Sequence, residues 1–162
     1  MSDKNLEALF LHHLKTIYFA ETQIGKALPP MIAAAKSPEL RSAFETHARE
    51  TQVQLRRLEQ VFEIVSAKPE GAPCDGILGL IKEGEAVMRD FSGGEAFEAA
   101  LIAAAQSIEH YEIARYGTLR AWARQLGLSE AAELLEESLD EETDTDDILS
   151  EIAEDMINEE AL

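Results

Sequence analysis

Glu109 and Glu112 lie in the stretch SIEHYEIARYGT (107–118), with the apolar runs ALIAAAQ before and LRAW after. At about 100° per residue, Glu112 falls near the centre of the apolar stripe formed by Leu101, Ala105, Ile108 and Leu119, and Glu109 toward its edge. The same projection sets Glu21 within the stripe of Ile17, Ile24 and Leu28. It sets Glu142 between Leu135 and Leu149, with Thr145 to one side and Asp146 to the other. In a further helical segment His47 and Gln54 face inward and Glu50 sits at the margin. An unpaired ion inside a protein costs several kcal/mol even after relaxation, so inward carboxylates need a neutralising partner. Two divalent cations shared among them supply +4 and occupy the oxygen ligands together.

Carboxylate and imidazole ligands suit iron or manganese. The single cysteine, Cys74, offers no thiolate set for copper(I) or structural zinc and excludes an internal disulfide. The candidate ligands are therefore Glu21, His47, Glu50, Glu109, Glu112, Glu142 and Asp146, with Asp146 and Gln54 also suited to orienting other ligands. Each has a plainer reading. Glu50 and Glu109 suit surface ion pairs, His47 a hydrogen-bonded core histidine, and the others hydrated or protonated carboxyls in a bundle without metal. His110 points away from the stripe, and His12 and His13 lie too near their helix start to reach the rest. Tyr18, Tyr111 and Tyr116 cluster at the same level and read as packing; Cys74 reads as incidental.

Helical periodicity positions all of these residues, and alternating β-branched runs are absent. A first long helix is expected over about 3–35, with Pro29 and Pro30 threatening a kink or break. Ser37 and Pro38 read as cap and first position of a second helix, to about 66. The loop AKPEGAPCDG leads to a short helix capped by Asp75. A third long helix spans about 95–126 and stops at Gly127, and a fourth, capped by Ser129, runs to about Asn158. Four long helices, paired by short turns and joined by a roughly thirty-residue connection carrying a small helix, describe an all-α four-helix bundle with one long crossover. One domain accounts for 1–162. IYFAETQI (17–24) also lies on IEHYEIAR (108–115), matching Glu21 to Glu112 in a faint internal echo.

Bulk properties narrow the function. With 46% hydrophobic and 28% charged residues, the chain is neither disordered nor a membrane protein. The start MSDKNLEALF lacks the features of a secretory signal, so the cytoplasm is the default location. A net charge of −18 argues against nucleic acid and anionic membrane surfaces as partners. From Glu130 to Glu160 there are acids and no Lys or Arg, mostly a solvated face.

The segments FETHARETQVQLRRLEQVFE, IEHYEIARYGTLRAWARQLG and LLEESLDEETDTDDIL resemble the YciE/YciF-like proteins, a branch of the ferritin-like superfamily. The likeness covers nearly the whole chain, from LEALFLHHLKTIYFAE to the acidic end. It implies a ferritin-like antiparallel bundle, a homodimer, a dinuclear metal centre and an association with bacterial stress. Residue by residue, Glu21, Glu50, Glu112 and Glu142 match the four-helix carboxylate pattern. Glu109 matches the added carboxylate of rubrerythrins. The superfamily's Glu-x-x-His pairs are altered: the order is His47-x-x-Glu50, and no histidine follows Glu142. The leading expectation is a dinuclear iron or manganese protein acting on peroxide or dioxygen, with enzymatic activity left open. The alternative is a structural or interaction protein in which the metal only stabilises the bundle or dimer.

Overall fold

The computed structural model describes residues 4–162. Its helices are α1 (Leu6–Ala34), α2 (Pro38–Ile64), α3 (Asp75–Asp90), α4 (Phe97–Gln125) and α5 (Ser129–Ile152), the last passing through a π-helical turn, Ala153–Ile157, into a short α6 (Asn158–Glu160). Among the described residues there is no strand. The start expected near residue 3 falls at Leu6, because Asn5 accepts a hydrogen bond from the Ala8 N–H at 3.0 Å and so caps α1. Ser37 caps α2 by accepting from the Leu40 N–H at 3.3 Å, and Pro38 opens the helix without needing a donor.

Several local expectations are corrected. Pro29 and Pro30 do not break α1. Both are exposed near the helix end, where the carbonyls they leave unpaired, on Gly25 and Lys26, lie on partly or fully exposed residues. Asp75 and Ser129 are not caps but the first residues of their helices, and neither helix has a side-chain cap. The final helix is not uniform to Asn158, since the π turn widens it from Ala153. Gly127 does end α4 as expected. At φ 73° it allows its own N–H to reach the Arg124 carbonyl (3.1 Å) and the Leu128 N–H to reach that of Ala123 (2.9 Å), which reverses the chain into α5.

The packing follows from these stripes. α1 contacts α2 and α4, and α5 contacts α2 and α4, so the four long helices close a ring; α3 lies over α4 and α1. Cross-links fix the directions. Glu98 at the start of α4 accepts from the N–H groups of Lys36 and Ser37 at the end of α1, both at 2.8 Å. Farther along the same pair, His13 meets the Trp122 ring, so α1 and α4 are antiparallel. Glu50 meets Thr145 and Arg57 meets Ser138, so α2 and α5 are antiparallel as well. The segment carrying α3 therefore returns the chain along the bundle before α4 begins.

Two apolar clusters fill the interior. One includes Leu14, Ile17, Leu58, Phe62 and Leu135; the other includes Leu40, Phe44, Leu101, Leu149 and Ile157. Along α2 and α5 a buried polar layer separates them: His47, Thr51 and Gln54 on one helix, Ser138, Glu142 and Thr145 on the other.

Candidate metal centre

The polar layer converges on one point. His47 from α2, Glu109 and Glu112 from α4, and Glu142 from α5 each present one donor atom, and these atoms all lie within 4.8 Å of one another. His47 Nε2 is 3.4 Å from Glu109 Oε1 and 3.9 Å from Glu112 Oε2, while Nδ1 is 3.7 Å from Glu142 Oε2. These separations exceed ordinary hydrogen bonds. Both nitrogens of His47, both oxygens of Glu112 and of Glu142, and one oxygen each of Glu21 and Glu109 are buried without a hydrogen-bond partner. Native interiors rarely leave so many polar atoms orphaned in one place, since each forfeits about 1–3 kcal/mol of hydration.

Among the described residues no fixed cation compensates: no Lys or Arg pairs with Glu21, Glu109, Glu112 or Glu142. Arg57 is committed to Glu141 through two contacts of 2.7 Å and to Glu137 at 3.0 Å, and Gln54 donates to the Glu141 carboxylate at 3.0 Å. Burial therefore dominates the titration. It raises the Glu109 carboxyl to about 8 and lowers His47 to about 4. Burial, reinforced by the other carboxylates, also holds Glu21, Glu112 and Glu142 well above the ordinary carboxyl range.

Metal-free protein should lose stability as pH rises. Glu109 titrates near 4.5 when unfolded and about 8 when folded, so its contribution is full below 4.5 and lost as pH passes 8. His47 works oppositely, from 6.5 unfolded to about 4 folded, but its effect is constant above 6.5. Between pH 6.5 and 8 the buried carboxyls dominate, and Glu109 by itself removes roughly 1–2 kcal/mol. Chelator-treated protein melted across that window should show a falling Tm; a flat or rising curve would contradict this electrostatic picture.

The other residues singled out in the sequence sit around this core. Glu21 is fully buried beside Glu112 and Glu142, and one of its oxygens accepts the Tyr116 hydroxyl. Glu50 is half-buried at the rim, where its carboxylate accepts from Thr145 at 3.5 Å, and burial raises its pKa. Asp146 faces the opposite margin, taken by Gln106 at 3.1 Å and by His110 at 3.0 Å. His110 itself is exposed, and His13 packs with Trp122 and Arg115 near the start of α1.

Sequence reasoning missed two partners. Tyr116, read as packing, is fully buried and holds a cluster carboxyl; its place on the Leu119 stripe gave no sign of the hydroxyl's target. Arg57 is the cation that neutralises Glu141, and nothing in the acidic stretch around Glu141 announces it. Tyr116→Phe strands the Glu21 oxygen, so metal-free protein should lose about 1–3 kcal/mol in chemical denaturation. An unchanged midpoint would mean the bond contributes nothing. Cys74, read as incidental, places Sγ 3.1 Å from the Tyr111 hydroxyl.

Known proteins share both the sequence and the arrangement. The family model described as "Domain of unknown function (DUF892)" matches residues 5–162. The chain belongs to the DUF892 family. Protein YciF of Escherichia coli (strain K12) is 43% identical to it over 162 residues, 99% of this chain and 98% of the relative. The crystal structure of that E. coli stress protein superposes with a TM-score of 0.91 at 42% identity, covering 96% of this chain and 99% of the other. YcfI from Rhodopseudomonas palustris, provisionally described as a structural protein, gives a TM-score of 0.89 at 43% identity, covering 93% of this chain and 97% of its own. The DUF892 relatives thus share the helical arrangement over essentially its full length. No helix among the described residues is long and apolar enough to cross a membrane.

Proposed function

We propose that this DUF892 protein is a ferritin-like four-helix bundle holding a dinuclear iron or manganese centre, and that it meets peroxide or dioxygen there during stress. The observation that carries this reading is the buried set His47, Glu109, Glu112 and Glu142, whose donor atoms converge without hydrogen-bond partners or a compensating Lys or Arg. Their chemistry fits the ions. Carboxylate oxygens and one imidazole are the donors iron and manganese accept, and a neutral His47 keeps a lone pair free for coordination. Glu21 adjoins the set from α1, and Glu50 stands at its rim from α2, so every long helix contributes.

When bound, such a pair of ions supplies changes of oxidation state to a small oxidant. The chain's own residues do the rest. Tyr116 engages one Glu21 oxygen and leaves the other facing inward without a protein partner. The apolar clusters on either side exclude bulk water, and the Arg57–Glu141 pair keeps the outer carboxylate neutralised so that it does not compete. The stress label of E. coli YciF supports the setting. The proposal includes a cytoplasmic homodimer.

A second reading has its own support. Donors from α2, α4 and α5 meet in one layer, so a bound ion ties three helices together whether or not it turns over, and the R. palustris relative carries a structural description. One experiment separates the two. Protein loaded anaerobically with ferrous iron or manganese is mixed with excess peroxide, or with dioxygen and an excess of an electron donor such as ascorbate, while oxidant is followed against a protein-free control. Consumption beyond one equivalent per site supports the catalytic reading. Bound metal without consumption leaves the structural one, and failure to bind either ion removes both.

A further inference from the structure

Two voids lie side by side on the α1–α4 flank, under α3. The outer one, about 110 Å³, is walled by Ile81, Gly84 and Met88 of α3, by Leu101 and Ala104 of α4, and by α1. The inner one, about 10 Å³, is bounded by Ile24, Leu28, Phe44 and Ala105 and ends on His47 and Glu109. Ala27, Met31 and Ile108 line both. Exposed Lys26, Pro30 and Glu85 mark the solvent side of the outer void.

We propose that this pair of voids is a binding and entry site for a small, uncharged, apolar molecule of dioxygen's class, leading to the His47–Glu109 edge of the cluster. The inference rests on the metal-centre reading and names the substrate class of that site. The walls decide the occupant. The inner void is at the lower limit for one water, and apart from His47 and Glu109 at its far end its walls are hydrocarbon, so a water on the way in lacks the two to four polar partners it needs. A hydrated cation is larger still and would shed its shell against hydrocarbon. A diatomic gas needs neither. Met31, unbranched and flexible, lines both voids with Ala27 and Ile108, and its rotation is the movement by which a small guest would pass between them. The crossover helix thereby gains a role, since without α3 the outer void would be open surface.

The test uses crystals of protein offered ferrous iron beforehand, their metal content assayed, equilibrated with pressurised xenon, an apolar probe of similar habit. Xenon is expected against Met31 and Ile108 in the wild type and not in Ala27→Phe, which fills the junction. Ala27→Phe, with unchanged metal content, should also oxidise its bound ferrous iron severalfold more slowly when dioxygen is admitted. Should that variant fail to fold, Ala104→Leu on the half-exposed outer wall makes the same comparison. Absence of xenon from the wild-type voids, or an unchanged rate in a folded blocked variant, overturns the proposal. Xenon bound in the wild type and lost in the blocked variant, in protein that takes up no metal, upholds the site and instead sinks the metal-centre reading.

Discussion

Replacing Glu112 and Glu142 together by alanine is expected to abolish metal uptake and, with it, the rise in melting temperature that metal gives the wild type. Both residues are fully buried, and all four of their carboxylate oxygens lack protein partners. Their loss removes two of the four converging donors and leaves His47 and Glu109, too few to compete with water for a divalent ion. Metal binding stabilises only the folded chain, so at a thousandfold excess over Kd the linkage is worth about 4 kcal/mol. For a domain of this size that shifts Tm by roughly 8–16 °C. Thermal melts with ferrous iron or manganese and with chelator read the effect directly, beside elemental analysis of protein purified without chelators. About two ions per chain are expected in the wild type and none in the double variant. A wild-type Tm indifferent to both ions and to chelator would leave the cluster without its assigned role.

Without metal the sign reverses. Glu112→Gln should raise the stability of chelator-treated protein at pH 8 by about 1–4 kcal/mol, roughly 2–16 °C in Tm, while lowering that of metal-loaded protein relative to wild type. Glu112 is pushed well above the ordinary carboxyl range by burial and by Glu142, Glu21 and Glu109 around it. In metal-free protein at pH 8 it must therefore either carry a proton against the solvent or bury a charge, and both are costly. The amide keeps the shape and removes that cost, but it cannot serve as an anionic ligand. Opposite shifts in the two states would identify the carboxylate as a functional expense carried by the fold. A fall in both states would mean that Glu112 is a structural group whose hydrogen bonds escape the geometry described above.

The elements were largely legible in the sequence because their signals are local. Ser37 followed by Pro38 opens α2, and Gly127 closes α4 with the left-handed backbone a turn requires. Where local rules conflict with packing they mislead. Pro29 and Pro30 sit inside an unbroken α1, because the length of that helix is fixed by burial of Ile24, Leu28 and Met31 rather than by propensity. The π turn at Ala153–Ile157 has no counterpart in the periodicity, which reads straight on to Asn158.

At the site, periodicity alone determined which face each residue takes: Glu21, His47, Glu112 and Glu142 fall on apolar stripes, and each is buried. It left Glu50 and Glu109 equal, both at a margin. Only the tertiary structure separated them, with Glu109 sealed against His47 and Glu50 half-open beside Thr145. The reason is geometric. A hydrophobic stripe fixes an angle around one helix axis, whereas burial at its edge depends on how the neighbouring helix is rotated and raised. The same reason hid the Tyr116 bond to Glu21 and the Arg57 clasp on Glu141, since each joins two helices whose sequences carry no record of the other.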